Sequence, residues 1–126
     1  MKLTTFFILT TLVFATSCKK TVENRITGKH EMEKAYRNGA DWTGFFNAIF
    51  QNWKMELKNN GDFIETYGNT TTTGTWKVLE NGKRLRLTET GGLIRPYIIL
   101  ESSKTSLELE EKDGDGNTNR YVLRKI

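Results

Sequence analysis

The sequence predicts an all-β domain, an eight-stranded antiparallel up-and-down β-barrel with one short helix after its first strand; a β-sandwich is the alternative. Three observations predict it. From Ile26 onward, apolar and polar residues alternate with period two in about eight short runs. Clusters of glycine and asparagine separate these runs at hairpin spacing. One segment alone, Trp42 to Phe50, follows the 3.6-residue period of a helix. Many short strands with short links suit a meander that closes on itself.

Ile26, Gly28, His30 and Met32 alternate with polar neighbours and open the first strand. Trp42, Phe45, Phe46, Ile49 and Phe50 then form one helical stripe, with Asp41 placed to cap it. Gly44 weakens that helix by about 1 kcal/mol relative to alanine, so it should be short, lying across one end of the barrel with its aromatic face inward. Trp53 to Lys58 is a half-buried strand ended by Asn59-Asn60-Gly61, and Asp62 to Tyr67 is its hairpin partner, with Phe63 and Tyr67 on one face. Gly74 to Val78 follows, then Asn81-Gly82, a strong hairpin signal, and the alternating run Arg84 to Thr88. Gly91-Gly92 turns the chain into Ile94 to Leu100, whose near-continuous apolar character suggests cover on both faces, while Pro96 argues for an edge or a bulge. Leu107 to Glu110 and Tyr121 to Ile126 complete the set across Asp113-Gly114-Asp115-Gly116-Asn117.

The alternation points Met32, Trp53, Met55, Leu57, Phe63, Trp76, Val78, Leu85, Leu87, Leu107, Leu109, Tyr121 and Leu123 inward. A barrel of eight strands is just wide enough to be filled by its own side chains or to hold one small ligand. Either a nearly filled core or a small pocket under the helix is therefore expected, near Trp42, Phe46, Phe50 and His30.

The start of the chain reads differently. Lys2, the apolar run Leu3 to Phe14 and the small residues Ala15, Thr16 and Ser17 are the three parts of a secretory signal. The run is too short for a transmembrane helix, which needs about 20 residues. The segment Ala15-Thr16-Ser17-Cys18 resembles the lipobox of bacterial lipoproteins at its last three places and departs at the first, where leucine is usual. The resemblance implies cleavage after residue 17 and acylation of Cys18. It divides the chain into a signal peptide (1–17), a lipidated cysteine with a short linker (18–25) and one β-barrel domain (26–126). In lipoproteins, aspartate directly after the cysteine favours the inner membrane. Lys19 stands there instead, so the expected location is the bacterial cell envelope, on the outer membrane and facing the periplasm.

A second resemblance covers residues 26–126. Ile26-Thr27-Gly28-Lys29, Asn60-Gly61-Asp62-Phe63, Gly74-Thr75-Trp76-Lys77-Val78 and Tyr121-Val122-Leu123-Arg124-Lys125 resemble the lipocalin-like domains of small envelope lipoproteins. The chain departs from that pattern at His30, where tryptophan is usual. The resemblance implies a module that binds a small apolar or amphipathic ligand.

Charge and residue usage narrow the classes further. Once Lys2 leaves with the signal, 18 basic residues face 15 acidic ones, too even a balance to argue for nucleic acid. A single cysteine and a single histidine exclude an internal disulfide and a Cys- or His-based zinc site. His30 is either a core histidine held by a hydrogen bond or a polar anchor for a ligand. Asp113-x-Asp115-x-Asn117 starts like a calcium loop, but Thr118 and Arg124 occupy the places that need glycine and glutamate. Glu108 and Glu110 share the face opposite Leu107 and Leu109 and should point to water. Lys83-Arg84-Leu85-Arg86 reads as a solvated exterior, and Asn69-Thr70-Thr71 as a sequon with no role in a bacterial lipoprotein. No nucleophile elbow is present. The expectation is therefore a non-enzymatic monomer with no cofactor and no metal. It would meet the membrane through its acyl chains and bind a small hydrophobic ligand; a filled interaction module, acting as an assembly partner or inhibitor, is the alternative.

Overall fold

The computed structural model describes residues 18–126, and the signal peptide expected over residues 1–17 lies outside the described residues. Residues 18–26 are helical (α1). Nine strands follow: β1 (Gly28–Arg37), β2 (Ala40–Asp41), β3 (Lys54–Leu57), β4 (Asp62–Tyr67), β5 (Thr70–Leu79), β6 (Arg84–Glu89), β7 (Ile94–Ser102), β8 (Ser106–Lys112) and β9 (Thr118–Lys125). Helix α2 (Thr43–Ile49) lies between β2 and β3, and a 3-10 turn (Glu80–Gly82) joins β5 to β6. Strands β1 and β3 to β9 pair antiparallel in chain order, and β1 pairs with β9 from His30–Lys125 to Arg37–Asn119. The sheet is thus a closed eight-stranded barrel, with β2 a two-residue flap on β1.

Closure requires each strand to shear past its neighbours. Strand β5 shows how the sequence permits this. Residues Thr70 to Thr75 pair with β4, whereas Gly74 to Leu79 pair with β6. At the crossover, a Cβ on Gly74 would stand 2.0 Å from the Thr88 carbonyl oxygen and 2.6 Å from the Phe63 ring. Only glycine fits this corner. In β1 a bulge at Glu33 shifts the register between Met32 and Lys34, so Ala35, rather than Lys34, becomes the next fully buried residue.

The lower end of the barrel is plugged. Residues 18–25, expected as a short linker, and Ile26, expected to open the first strand, are helical instead, because Val22 and Ile26, four apart, form one apolar face; β1 starts only at Gly28. Val22 packs against the core and Ile26 is fully buried. The last carbonyls of α1 find donors nearby. Glu23 accepts from the Thr27 amide and hydroxyl, Arg25 from Lys125 Nζ at 2.6 Å, and Ile26 from His30 Nε2 at 2.6 Å. A cation there also complements the helix dipole. Above α1, Leu57, Phe63, Val78, Leu85, Leu87 and Leu107 fill the lower half of the barrel. All thirteen residues assigned inward by alternation belong to this core or pack against it.

Two expectations need correction. The run Ile94 to Leu100 is not covered on both faces: Arg95, Tyr97 and Ile99 turn inward, while Ile94, Ile98 and Leu100 are 56%, 38% and 44% exposed. Pro96 is neither on an edge strand nor in the β7 bulge, which falls between Ile99 and Glu101. The β7–β8 ladder ends at Ile98–Glu110, so the proline lies beyond it and its missing N–H breaks no bond there. The Asp113 loop is a hairpin in which Asp113 Oδ1 accepts the Asp115 and Asn117 amides and Oδ2 pairs with Arg37.

Candidate ligand-binding cavity

The upper half of the barrel is open. Helix α2 crosses its mouth and is held at both ends. The Thr43 hydroxyl accepts the Ala35 amide at 3.0 Å and donates to the Ala35 carbonyl at 3.3 Å, while Gly68 N–H reaches Gln51 at 2.7 Å on the far side. Asp41 receives the Thr43 amide at 2.9 Å, although Trp42 occupies the N-cap position itself. The Thr43 side chain, then its amide, and the nearby Lys34 hold the Asp41 carboxyl below its usual range.

With only seven residues, α2 presents a narrower face than the sequence suggests. Phe46 is buried and Phe50 half-buried, but Phe45 and Ile49 are 58% and 51% exposed. The covered residues are Phe46 and Phe50, four apart; Phe45 and Ile49, one place earlier, rotate out to solvent. Phe46 is the hub, with ring centroids 4.8 Å from Phe50, 6.2 Å from Trp53 and 5.9 Å from Tyr121. Phe50 meets Tyr67 edge-on at 5.1 Å.

Beneath this aromatic roof lies a cavity of about 450 Å³. Its walls are Met32, Phe46, Phe50, Trp53, Met55, Tyr67, Thr72, Leu93, Leu109, Tyr121 and Leu123, with Glu65, Glu89, Arg95, Tyr97 and Glu111 as polar members. Of the residues expected at the site, Phe46 and Phe50 line the cavity. Trp42 does not: it sits outside the roof, 5.3 Å from Phe45 and under the Arg37 guanidinium at 5.2 Å. His30 does not either. It is buried at the plugged end, where Nε2–H donates to Ile26 and Nδ1 has no hydrogen-bond partner. Burial, with the nearby Lys125, lowers its pKa despite that hydrogen bond, so the ring stays neutral.

The polar members form one network. Arg95 holds Glu65 in a two-pronged ion pair at 2.9 and 3.0 Å, and Trp53 Nε1 donates to the same carboxylate at 2.9 Å. Arg95 also donates to the Tyr97 hydroxyl at 2.9 and 3.2 Å and lies 3.7 Å from Glu89. Burial opposes the charge on Arg95, but Glu65 outweighs it and the pKa lies above its ordinary value. The Tyr121 hydroxyl donates to Glu111 at 2.6 Å. Burial and then Glu111 raise the Tyr121 pKa, and burial raises that of Tyr97, so both remain hydroxyls. Among the described residues, no group of three His, Cys, Asp or Glu side chains is arranged to hold a metal.

Glu65, Glu89, Arg95, Tyr97 and Glu111 lie outside the site expected from the sequence, although the alternation contains their signal. The four charged ones each lie two residues from a buried apolar or aromatic residue of the same strand: Glu65 from Phe63, Glu89 from Leu87, Arg95 from Tyr97, Glu111 from Leu109. Continuing the alternation one step up each strand places them inside.

No family model and no curated protein matches the sequence. Among solved structures, a lipocalin-like protein from Bacteroides uniformis is similar in fold, with a TM-score of 0.60 at 15% identity, covering 81% of this chain and 99% of that one. The fold is a lipocalin-like barrel. At this identity the likeness extends to the fold and no further.

Proposed function

We propose that this lipocalin-like barrel is a lipid-anchored envelope protein that binds a small apolar or amphipathic molecule beneath α2, without catalysis. The observation that carries this reading is the cavity. At about 450 Å³ it falls within the range of roughly 300–1,000 Å³ typical of small-molecule sites. Its mixture of apolar walls and a few fixed polar groups is also the usual makeup of such sites.

Anchoring is proposed at Cys18, on the outer membrane and facing the periplasm. Cys18 starts the described part of α1 and lies against the plugged end, its carbonyl 3.6 Å from where a Cβ on Gly82 would be. Acyl chains there turn the closed end toward the bilayer and leave the mouth free. Helical residues 19–25 rise only about 10 Å, against about 25 Å if extended, which holds the barrel close to the surface.

Titration with apolar alcohols, sterols, small aromatics and amphiphiles of either charge, followed by tryptophan fluorescence, tests the reading, because Trp53 lines the cavity. Saturable binding by at least one probe is expected, weakened about tenfold by Phe46→Ala, a loss of about 1.4 kcal/mol. No binding by any probe overturns the proposal.

A further inference from the structure

The charge inside the cavity does not balance, and its walls are aromatic. Glu65, Glu89 and Glu111 face a single cation, Arg95. That cation is already committed: its nitrogens are engaged by Glu65 and Tyr97, with Glu89 a further 3.7 Å away. No guanidinium edge is left to receive an anionic head. Among the described residues, the partner of Glu111 is a neutral hydroxyl, that of Tyr121. Six aromatic rings line the same space, those of Phe46, Phe50, Trp53, Tyr67, Tyr97 and Tyr121. Aromatic faces attract cations, most strongly where water is excluded. Two excess negative charges in such a setting repel a carboxylate or sulfate and favour an ammonium group.

Resting on the binding role proposed above, we propose that the ligand is a cationic amphiphile, an amine or quaternary ammonium on an apolar body. The head would lie near Glu111 and Glu89 with the body against Phe46 and Phe50. Overall charge does not create this preference, since residues 18–126 carry 18 basic and 15 acidic side chains, a net positive balance.

Octyltrimethylammonium, octanol and octanoate share one tail and differ in head charge, and calorimetric titration of the protein with each separates the contributions. The ammonium probe is expected to bind at least about tenfold more tightly than octanoate, with octanol between them. Glu111→Gln, which keeps an acceptor for Tyr121, should cut the preference for cation over anion about tenfold. Glu89→Gln, at the other carboxylate not held in the two-pronged pair with Arg95, is the second variant, and circular dichroism checks that both remain folded. Equal binding of the three probes, or tightest binding of octanoate, overturns the cation assignment while leaving a ligand cavity in place. A preference unchanged in both folded variants overturns it as well. Failure of all three probes to bind overturns the cation assignment, and the binding role falls too if the other probe classes also fail.

Discussion

Replacing Arg95 and Glu65 by methionine, singly and together, probes the floor of the open half of the barrel. Their side chains are 21% and 8% exposed, so the pair is largely withdrawn from water. Removing one partner of a buried pair costs about 3–5 kcal/mol, because the other charge is stranded. The two ends are not equivalent. Without Arg95, the Glu65 carboxylate keeps one donor, Trp53 Nε1. Without Glu65, the guanidinium still has Glu89 at 3.7 Å and the Tyr97 hydroxyl. Arg95→Met should therefore cost about 3 kcal/mol and Glu65→Met about 2 kcal/mol. The double variant exchanges the pair for two apolar side chains and should cost only about 1–2 kcal/mol, a coupling of about 3–4 kcal/mol. Urea unfolding followed by circular dichroism measures all three. Single-variant losses that add to within about 0.5 kcal/mol would refute the ion pair as the organising contact of the cavity.

Other predictions come from the closed end and the corners. His30 has a lowered pKa, so below about pH 6.5 the unfolded chain takes up a proton that the folded chain refuses. Stability is full above that pH and falls as pH drops, by at most about 1.4 kcal/mol per unit from this group; His30→Gln should remove that component between about pH 6.5 and 5, and an unchanged slope would contradict the assignment. Gly74→Ala forces a Cβ against the Thr88 carbonyl and should cost about 3 kcal/mol. Gly91→Ala, in open space, should stay within about 0.5 kcal/mol, and equal unfolding midpoints would refute the corner role of Gly74. Cys18→Ser should release the protein from membranes or leave it unprocessed, since each buried acyl CH₂ contributes about 0.8 kcal/mol; full retention of a processed form on fractionation would rule out the anchor.

Alternation read from the sequence was enough to place Leu57, Phe63, Leu85, Leu107 and Leu123 in the core, because a one-residue slip would turn every side chain over. Strict alternation fails past Glu33, where the bulge exchanges Lys34 for Ala35 on the inward face; a lysine where parity wants an apolar residue, with alanine beside it, is the mark it leaves in the sequence. In α2, periodicity identified the stripe but not its width: two turns of helix at a barrel mouth cover Phe46 and leave Phe45 and Ile49 wet. The polar network is hard to read from sequence for the opposite reason. Glu65 and Arg95 fit the inward parity but break the apolar pattern, so they read as exceptions, and only tertiary pairing makes them tolerable inside. His30 is buried and donates to the Ile26 carbonyl at the plugged end, away from the cavity. Its distance from the cavity depends on where the helix docks, which local sequence does not encode.

The most direct test of a ligand cavity in the upper barrel is site-resolved nuclear magnetic resonance of the full domain titrated with octyltrimethylammonium. Shifts are expected at Phe46, Tyr67, Arg95, Glu111 and Tyr121, with Leu57, Leu85 and Leu107 in the packed lower half unchanged. Shifts confined to the exposed outer residues Ile94, Ile98 and Leu100, or none at saturating probe, would contradict a binding site inside the barrel.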